Sequence, residues 1–388
     1  MIIKNNKLWL VVVVVLLVLI IFAIGIPLTK QHEEVAQVTI EPVSFTFGTV
    51  GDHSTTANAE ATFQSAGSSN LDFFLSLGDL SYKNPSTYPE SNWCQMVKNN
   101  LNIGAGLPIG DAYGEQYPFE IISGNHESDQ THNNGLIDNF VAANCMPNRL
   151  TVTQSPHLGI NPHPSTGNYA KEYYFDYPQT GTPIARFIML APGLHFEYGG
   201  TYTFAVGSPR YQWLSDTIDQ ARASGIKWVI VANHYNYIST GQKTDQTGPG
   251  YFNLLINKNV DLVLQGHDHT YQRSKQFSHT ASCPELLPAP INMSCIVDDG
   301  SDASYVKGLG PVLLIAGNGG HSFYTMAETD AQIPYFSKRM LNSESTSGFT
   351  KVTIDMEALN AVFVPATTGG FTDEFAIVDP SADAADNP

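Results

Sequence analysis

Residues 260–269 read VDLVLQGHDH, an apolar stretch that runs into two histidines, and this segment decides the fold. Val260 to Leu264 has the length and composition of a β-strand that is covered on both faces. His267 and His269 lie two positions apart, so their side chains share one face at the end of that strand. Polar side chains at the end of a buried strand are typical of a ligand site in an open α/β sheet.

Other apolar stretches of strand length also end at a short polar motif. They are Val43 to Val50 before Gly51-Asp52, Leu71 to Leu77 before Gly78-Asp79, Phe119 to Ile122 before Gly124-Asn125-His126-Glu127, Lys227 to Val231 before His234, and Val312 to Ala316 before the glycine-rich turn at 317–320. Helical patterns fall between them, most clearly at Pro209 to Ala223 and more weakly at Asn92 to Leu101, Leu136 to Ala143 and Tyr251 to Asn257. Because strands and helices alternate, the sequence predicts an α/β fold.

The remaining segments of the main domain, residues 43–379, and the C-terminus predict further strands, one surface loop and a tail. Three further strands are predicted to close a second sheet, at Phe349 to Asp355, Ala361 to Val364 and Glu374 to Val378. Pro147 to Tyr169 has no strong pattern and predicts an irregular surface loop, and residues 380–388 predict a disordered tail.

The polar residues at the strand ends form one chemical set. Carboxylates, an amide and imidazoles are the donors that suit iron, zinc or manganese, rather than calcium or a soft metal held by thiolates. Each motif alone is a weak signal, but their succession along the chain, each after an apolar strand, predicts a metal site. The set comprises Asp52, Asp79, Asn125, His126, His234, His267 and His269.

The overall charge of the 388-residue chain excludes one broad class of function. Lys and Arg number 19 against 36 Asp and Glu, which gives a formal net charge of −17. Such an acidic chain lacks the basic surface that sequence-independent nucleic-acid binding requires.

The N-terminus predicts a membrane attachment. Lys4 and Lys7 precede an uncharged 21-residue run from Leu8 to Leu28, long enough to cross the roughly 30 Å hydrocarbon core as a helix. The positive flank predicts a cytoplasmic N-terminus, so that residues 29–42 form a polar stalk and the main domain lies outside the cytoplasm. The alternative is a signal peptide cleaved near Ala23 to Gly25, which would leave a secreted protein.

The four cysteines fit an oxidising compartment. They show no C-x-x-C spacing, which argues against zinc-finger and thioredoxin-like sites, and an even count predicts two disulfides. Cys283 and Cys295 bracket one Pro-rich loop, which favours that pair and leaves Cys94 with Cys145; four buried thiols are the alternative.

Taken together, the motifs resemble a known family. The segments at residues 51–52, 78–82, 124–127, 229–234 and 266–273 are similar to the five signature motifs of the calcineurin-like metallophosphoesterases, most of all to those of the purple acid phosphatases. The resemblance spans Phe45 to Ile377. It implies a four-layer fold, in which two mixed β-sheets are flanked by helices.

One exchange of residues favours the purple acid phosphatases. Most of the superfamily has a histidine ligand two residues after the first aspartate, where this chain has Ser54. Tyr82 instead stands three residues after Asp79, where purple acid phosphatases supply a phenolate. A phenol, whose ordinary pKa is near 10, binds as phenolate only beside a strongly polarising ion, which favours Fe(III).

The resemblance also implies the ligands and the reaction. The first metal would take Asp52, Asp79, Tyr82 and His269, and the second metal, which would be Zn, Mn or Fe(II), would take Asp79, Asn125, His234 and His267. A hydroxide held by the ions would attack phosphorus in line with the leaving alkoxide. His126 resembles the family's histidine near the leaving group, a candidate general acid.

The chain departs from the family at the substrate side. Where purple acid phosphatases carry further histidines, about nine residues after the fourth motif, this chain has Lys243, which could hold a phosphate oxygen as a point charge. His53, beside Asp52, and His321, after the glycine-rich turn, are further candidates for substrate binding; for His53 a solvent-facing side chain is the alternative.

Three functions remain open on the sequence. The favoured one is hydrolysis of phosphate monoesters at the cell surface. A phosphodiesterase or nucleotide hydrolase with the same metal centre is the first alternative. The second is a non-catalytic surface protein that binds phosphate or a partner.

Overall fold

The computed structural model describes residues 43–128, 134–143, 145–146, 148–156, 158 and 162–381. The predicted membrane anchor, the predicted stalk and the predicted tail from residue 382 onward lie outside the described residues. Within the described ranges, no helix is long and apolar enough to cross a membrane.

The described residues form the following helices and strands. The helices are α1 (Ala57–Gly67), α2 (Glu90–Gly104), α3 (Ala112–Gln116), α4 (Ile137–Ala142), α5 (Pro209–Ala223) and α6 (Pro249–Asn257). The strands are β1 (Phe45–Val50), β2 (Phe73–Ser76), β3 (Phe119–Ile121), β4 (Thr153–Gln154), β5 (Glu172–Tyr177), β6 (Ala185–Leu190), β7 (His195–Phe196), β8 (Gly200–Thr201), β9 (Trp228–Asn233), β10 (Leu262–Gln265), β11 (Tyr271–Phe277), β12 (Ile296–Asp298), β13 (Ser304–Val306), β14 (Val312–Ala316), β15 (Phe336–Arg339), β16 (Gly348–Ile354), β17 (Ala358–Pro365) and β18 (Glu374–Val378).

Two mixed sheets contain most of the strands of the described chain. The first has the order β13-β18-β17-β16-β1-β2-β3, and the second has the order β12-β11-β14-β10-β9-β6-β5-β4, with β15 paired to β11. Strands β1, β2 and β3 run parallel in the first sheet, as do β6, β9, β10 and β14 in the second. The parallel strands of each sheet therefore end at a common edge.

An aromatic core joins the two sheets face to face. Phe187 of β6 meets Phe47 of β1 at 5.0 Å and Phe73 of β2 at 5.3 Å between ring centroids, both edge to face. All three side chains are fully buried. Burying each ring stabilises the fold by about 1.5–3 kcal/mol, so this contact is a main source of the sandwich's stability.

Helices cover the outer face of each sheet. Phe63 of α1 packs on Phe74 and Phe119 of the first sheet, at 6.4 and 6.1 Å between ring centroids. On the second sheet, Arg186 of β6 donates from Nη1 to the carbonyl oxygen of Thr217 in α5 over 3.0 Å. The chain thus forms a sandwich of helix, sheet, sheet and helix, as predicted.

Several predicted elements are confirmed. Helix α5 has the predicted bounds, because the Ser208 hydroxyl caps the backbone N–H of Tyr211 and Pro209 occupies the first turn. The described part of the 147–169 segment is irregular apart from β4 and an isolated bridge. Both predicted disulfides, Cys94–Cys145 and Cys283–Cys295, are present.

One prediction about the sheets is wrong. Strands β16, β17 and β18 do not close a second sheet but continue the first, since β16 pairs antiparallel with β1 and places Phe47 opposite Val352. The predicted strands that precede the motifs are instead divided between the two sheets. An apolar pattern reports that a strand is buried and carries no information about its partner, which explains the error.

Candidate metal centre

The candidate ligands meet where the parallel strands of both sheets end. Asp52 follows β1, Asp79 and Tyr82 follow β2, and Asn125 follows β3. From the second sheet, His234 follows β9, and His267 and His269 lie between β10 and β11. All of these predicted residues are brought to one place, although they are separated by more than 200 positions in the chain.

Unusual backbone conformations direct these side chains inward. Asp52, Asp79, Tyr82 and His267 have positive φ angles of 61°, 53°, 55° and 68°. Such a conformation is rare for residues other than glycine and costs roughly 1–3 kcal/mol at each position. Strain of this kind, gathered at one point of a fold, is typical of a functional site.

A first group of donor atoms surrounds the hydroxyl of Tyr82. Its Oη lies 2.9 Å from Asp52 Oδ1, 2.8 Å from Asp79 Oδ2 and 3.0 Å from His269 Nε2. Asp52, Asp79 and His269 are all buried, and their ligand atoms lie within 4.8 Å of one another, close enough to hold one cation.

A second group of donor atoms surrounds His234. Its Nε2 lies 3.1 Å from His267 Nδ1, 3.2 Å from Asn125 Oδ1 and 3.3 Å from Asp79 Oδ1. Asp79, His234 and His267 likewise have ligand atoms within 4.8 Å of one another. Asp79 belongs to both groups, with one carboxylate oxygen turned toward each.

The tautomers of two histidines fit metal binding. His234 Nδ1 donates to the carbonyl oxygen of Leu77 over 2.8 Å, and His269 Nδ1 donates to that of Ser322 over 2.7 Å. Because a carbonyl oxygen only accepts, each Nδ1 carries a hydrogen, and the lone pair of the neutral ring is on Nε2, which faces the other donors. A backbone carbonyl that orients a ligating imidazole in this way is a common second partner in metal sites.

The electrostatics of the centre show strong coupling between the buried groups. Burial disfavours the charge of Asp79, but His234 beside it holds the pKa of that carboxyl well below its usual range. Burial and, to a smaller extent, the adjacent His234 together lower the pKa of His267 to about 2. Burial, together with the charges of Asp52 and Asp79, raises the pKa of Tyr82 well above its usual value. Two cations would neutralise the buried carboxylates of Asp52 and Asp79, whose charges help to raise the pKa of Tyr82.

Glu127 holds together two loops that carry candidate ligands, a role that was not predicted from the sequence. Its carboxylate is fully buried and accepts the backbone N–H groups of Asp79, Leu80 and Gly124 over 3.0, 2.7 and 3.1 Å. It therefore ties the loop after β2 to the loop after β3. Gly124 allows this close approach, since a Cβ at that position would overlap Asp79 Oδ1.

His126 lies at the rim and is not among the clustered donors. Its side chain is 29% exposed, and its Nε2 lies 3.8 Å from Asp79 Oδ2. Its ring packs on that of Tyr82 at 4.3 Å between centroids, and its backbone N–H donates to Asp79 Oδ1 over 3.0 Å. This position allows the imidazole to reach a molecule bound over the centre.

Lys243 and His321 also lie at the rim. The ammonium of Lys243 is 5.6 Å from the centroid of the Tyr324 ring, which stacks on His269 at 4.0 Å with an interplanar angle of 5°. His321 Nδ1 lies 3.3 Å from His269 Nδ1, and its ring packs on Tyr82 at 4.0 Å. Tyr324 had no signal in the sequence, because an aromatic residue after a glycine-rich turn has no distinctive pattern.

The prediction that His53 contacts a substrate is wrong. Its ring is fully buried, stacks on Phe63 of α1 at 4.9 Å and has Nε2 2.9 Å from the hydroxyl of Ser76. Burial lowers the pKa of His53 to about 4, so the imidazole is neutral near pH 7. Asp52 thus faces the candidate metal centre, while its neighbour His53 faces the core under α1.

The two donor groups at the sheet edge are of a kind that can hold metal ions, and comparison with known sequences gives the family. The sequence model described as calcineurin-like phosphoesterase matches residues 46–271. The chain therefore belongs to the calcineurin-like phosphoesterase family.

Several relatives and one solved structure are similar to this chain. It is 26% identical to purple acid phosphatase 1 of Ipomoea batatas over 305 residues, which is 76% of this chain and 54% of the relative. It is 24% identical to the Fe(3+)-Zn(2+) purple acid phosphatase 12 of Arabidopsis thaliana over 293 residues, which is 72% of this chain and 51% of the relative. A purple acid phosphatase structure from yellow lupin seeds superposes with a TM-score of 0.59 at 16% identity, over 89% of this chain and 55% of that one. The chain spans about half the length of the curated relatives it matches.

Proposed function

We propose that the protein hydrolyses phosphate monoesters with two bound metal ions. The observation that carries the proposal is the carboxylate of Asp79, which belongs to both donor groups and lies below a rim that holds His126 and Lys243. The similarity to purple acid phosphatases supports the same reaction class.

The clustered donors would hold the metal ions, and the residues at the rim would bind the substrate and transfer a proton. Bound ions would supply charge neutralisation and activation of water for attack on phosphorus. Asp52, Asp79, Tyr82 and His269 would hold one ion, and Asp79, Asn125, His234 and His267 would hold the other. His126 would donate a proton to the departing ester oxygen. Lys243 would bind a non-reacting phosphate oxygen, and His321 would contact the substrate from the side of Tyr82.

We further propose Fe(III) in the group that contains Tyr82 and Zn, Mn or Fe(II) in the other. A phenolate is a ligand for a strongly polarising ion, whereas two imidazoles, an amide and a carboxylate suit a divalent transition metal. One relative is named as an Fe(3+)-Zn(2+) enzyme, which is consistent with this assignment.

The charge at the rim favours monoesters over diesters. A phosphate monoester carries more negative charge near neutral pH than a diester, and the Lys243 ammonium offers a compact positive charge to a free phosphate oxygen. We therefore expect the full-length protein to hydrolyse an aryl phosphate with a kcat/KM at least about 10-fold above that for the bis-aryl phosphate, a difference of about 1.4 kcal/mol. Steady-state assays of both substrates measure this ratio.

Metal removal and one variant complete that experiment. Dialysis against a chelator should abolish both activities, and adding iron and zinc back should restore them. Lys243→Gln should raise KM for the monoester more than for the diester. A preference for the diester would identify a phosphodiesterase or nucleotide hydrolase, and a metal-loaded protein without either activity would identify a non-catalytic phosphate-binding protein.

We also propose that the protein is anchored in a membrane by residues 8–28, with the catalytic domain outside the cytoplasm. The proposal is supported by the apolar run after Lys4 and Lys7, and by the two disulfides, which are typical of oxidising compartments. The protein should stay with membranes through a carbonate wash and keep an N-terminal tag. A soluble protein whose N-terminus lies near Ile26 would show a cleaved signal peptide instead.

A further inference from the structure

The side chain of Asn134 contacts the imidazole of His126. We infer that Asn134 is a positioning residue, which fixes the tautomer and the orientation of His126 for proton transfer to the leaving group. This inference rests on the function proposed above, and it concerns a residue outside the five sequence motifs.

The hydrogen bond between the two side chains determines which ring nitrogen faces the reaction. His126 Nδ1 lies 2.8 Å from Asn134 Oδ1. A carbonyl oxygen only accepts, so Nδ1 carries a hydrogen and donates it. Nε2 is then the nitrogen that faces the metal centre, where it lies 3.8 Å from Asp79 Oδ2.

Neighbouring contacts hold both partners of this bond in place. The Tyr82 ring packs on His126 at 4.3 Å and limits rotation of the imidazole. The hydroxyl of Ser81 donates to the backbone carbonyl of Asn134 over 3.4 Å. A little further along the chain, the N–H of Ile137 donates to the carbonyl of Glu127 over 2.9 Å. The segment of Asn134 is thus tied to the loops that carry Asp79 and His126.

The proposed step uses this arrangement in the following way. As the water oxygen forms its bond to phosphorus, the bond between phosphorus and the ester oxygen breaks, and its electron pair stays on that oxygen. The hydrogens of the attacking water leave with the phosphate product. The ester oxygen takes the proton from Nε2 of the imidazolium. His126 becomes neutral, with Nδ1–H still bonded to Asn134, so the tautomer left after the step is the one that the asparagine stabilises.

The leaving group provides the sharpest kinetic test. Protonation matters for an alkyl ester, whose leaving alkoxide is strongly basic, and hardly at all for dinitrophenyl phosphate. In the full-length protein, Asn134→Ala should lower kcat/KM about 10- to 100-fold for an alkyl phosphate and less than about 3-fold for dinitrophenyl phosphate. The loss for the alkyl phosphate would be part of the rate enhancement of about 10²- to 10⁴-fold that general acid catalysis supplies. His126→Ala should show the same selectivity, and the double variant should be little worse than His126→Ala alone.

The matched control is Asn139→Ala, the same substitution in the same segment. Asn139 is exposed and donates to Glu90 rather than to His126, so this variant should hydrolyse both substrates at the wild-type rate. An equal loss for both leaving groups in Asn134→Ala would overturn the inference, since it would indicate a structural role only.

A spectroscopic measurement separates this inference from the proposed function. In zinc-loaded protein with ¹⁵N-labelled histidine, the His126 signal, assigned by its loss in His126→Gln, should show the Nδ1–H tautomer. Asn134→Ala should shift that signal toward the other tautomer, whereas Asn139→Ala should not. An unchanged tautomer in Asn134→Ala would overturn the inference. If wild-type protein with the expected tautomer hydrolyses no phosphoester, the proposed function fails and the positioning role in catalysis falls with it.

Discussion

Replacing Asp79 with alanine should remove both metal ions from the protein and lower kcat/KM for an aryl phosphate by at least about 10⁴-fold, equivalent to about 5.5 kcal/mol of transition-state stabilisation. The reason is geometric, because Asp79 is the member that the two donor groups have in common. Elemental analysis of purified wild-type protein should give close to two metal ions per chain, one of them iron. The same analysis of Asp79→Ala should give almost none.

Variants of ligands that serve one group alone provide the comparison. Asp52→Ala should lose the ion near Tyr82, and Asn125→Ala should lose the ion near His234, so that each retains the other. Asp219→Ala is the matched control, since that carboxylate lies on α5, is exposed and pairs with Lys258 over 2.6 Å, and it belongs to neither donor group. It should keep both ions and full activity. Retention of one ion in Asp79→Ala would contradict a carboxylate shared by two metals.

The candidate donors at the strand ends could be predicted from the sequence because two local rules act on them at once. A buried strand leaves an apolar run, and the residues at its carboxyl end face the ligand side of the sheet. The motif around His267 and His269 carries both signals within ten residues. Other local signals gave the disulfides, through the even cysteine count and the loop between Cys283 and Cys295, and the periodic pattern gave helix α5, whose cap is formed by the adjacent residues Ser208 and Pro209.

The parts that could not be predicted depend on contacts between distant segments. Helix α1 was missed because its sequence, ANAEATFQSAG, has only Phe63 as a large apolar residue, and it is stabilised by packing on the first sheet. Strands β5 and β6 were missed although β6 is fully buried. His53 follows the candidate ligand Asp52 and Glu127 stands two residues after the candidate ligand Asn125, but His53 faces the core and Glu127 accepts backbone N–H groups. A motif gives the positions of its members and not the direction of each side chain.

Replacing Tyr82 with phenylalanine should abolish the colour of the iron-loaded protein. A phenolate bound to Fe(III) gives a charge-transfer band in the visible range, and the substitution removes only the oxygen that would form this bond. The ring should remain in place, because it is packed between His126 at 4.3 Å and His321 at 4.0 Å. Absorption spectra of the two oxidised proteins at equal iron content measure the effect.

The rates and a second tyrosine show whether the band reports on the proposed ligand. Tyr82 would hold and tune an ion, whereas His126 would take part in proton transfer, so Tyr82→Phe should slow turnover by less than about 10-fold and His126→Ala by about 10²- to 10⁴-fold. Tyr324→Phe is the matched control, since its ring stacks face to face on His269 at 4.0 Å, an arrangement that puts the ring rather than the hydroxyl against the imidazole. That variant should keep the band. A colourless iron-loaded wild-type protein, or an unchanged spectrum in Tyr82→Phe, would show that the phenolate is not a ligand. The reason for assigning Fe(III) would then be lost, because the remaining carboxylates and imidazoles serve divalent metals equally well.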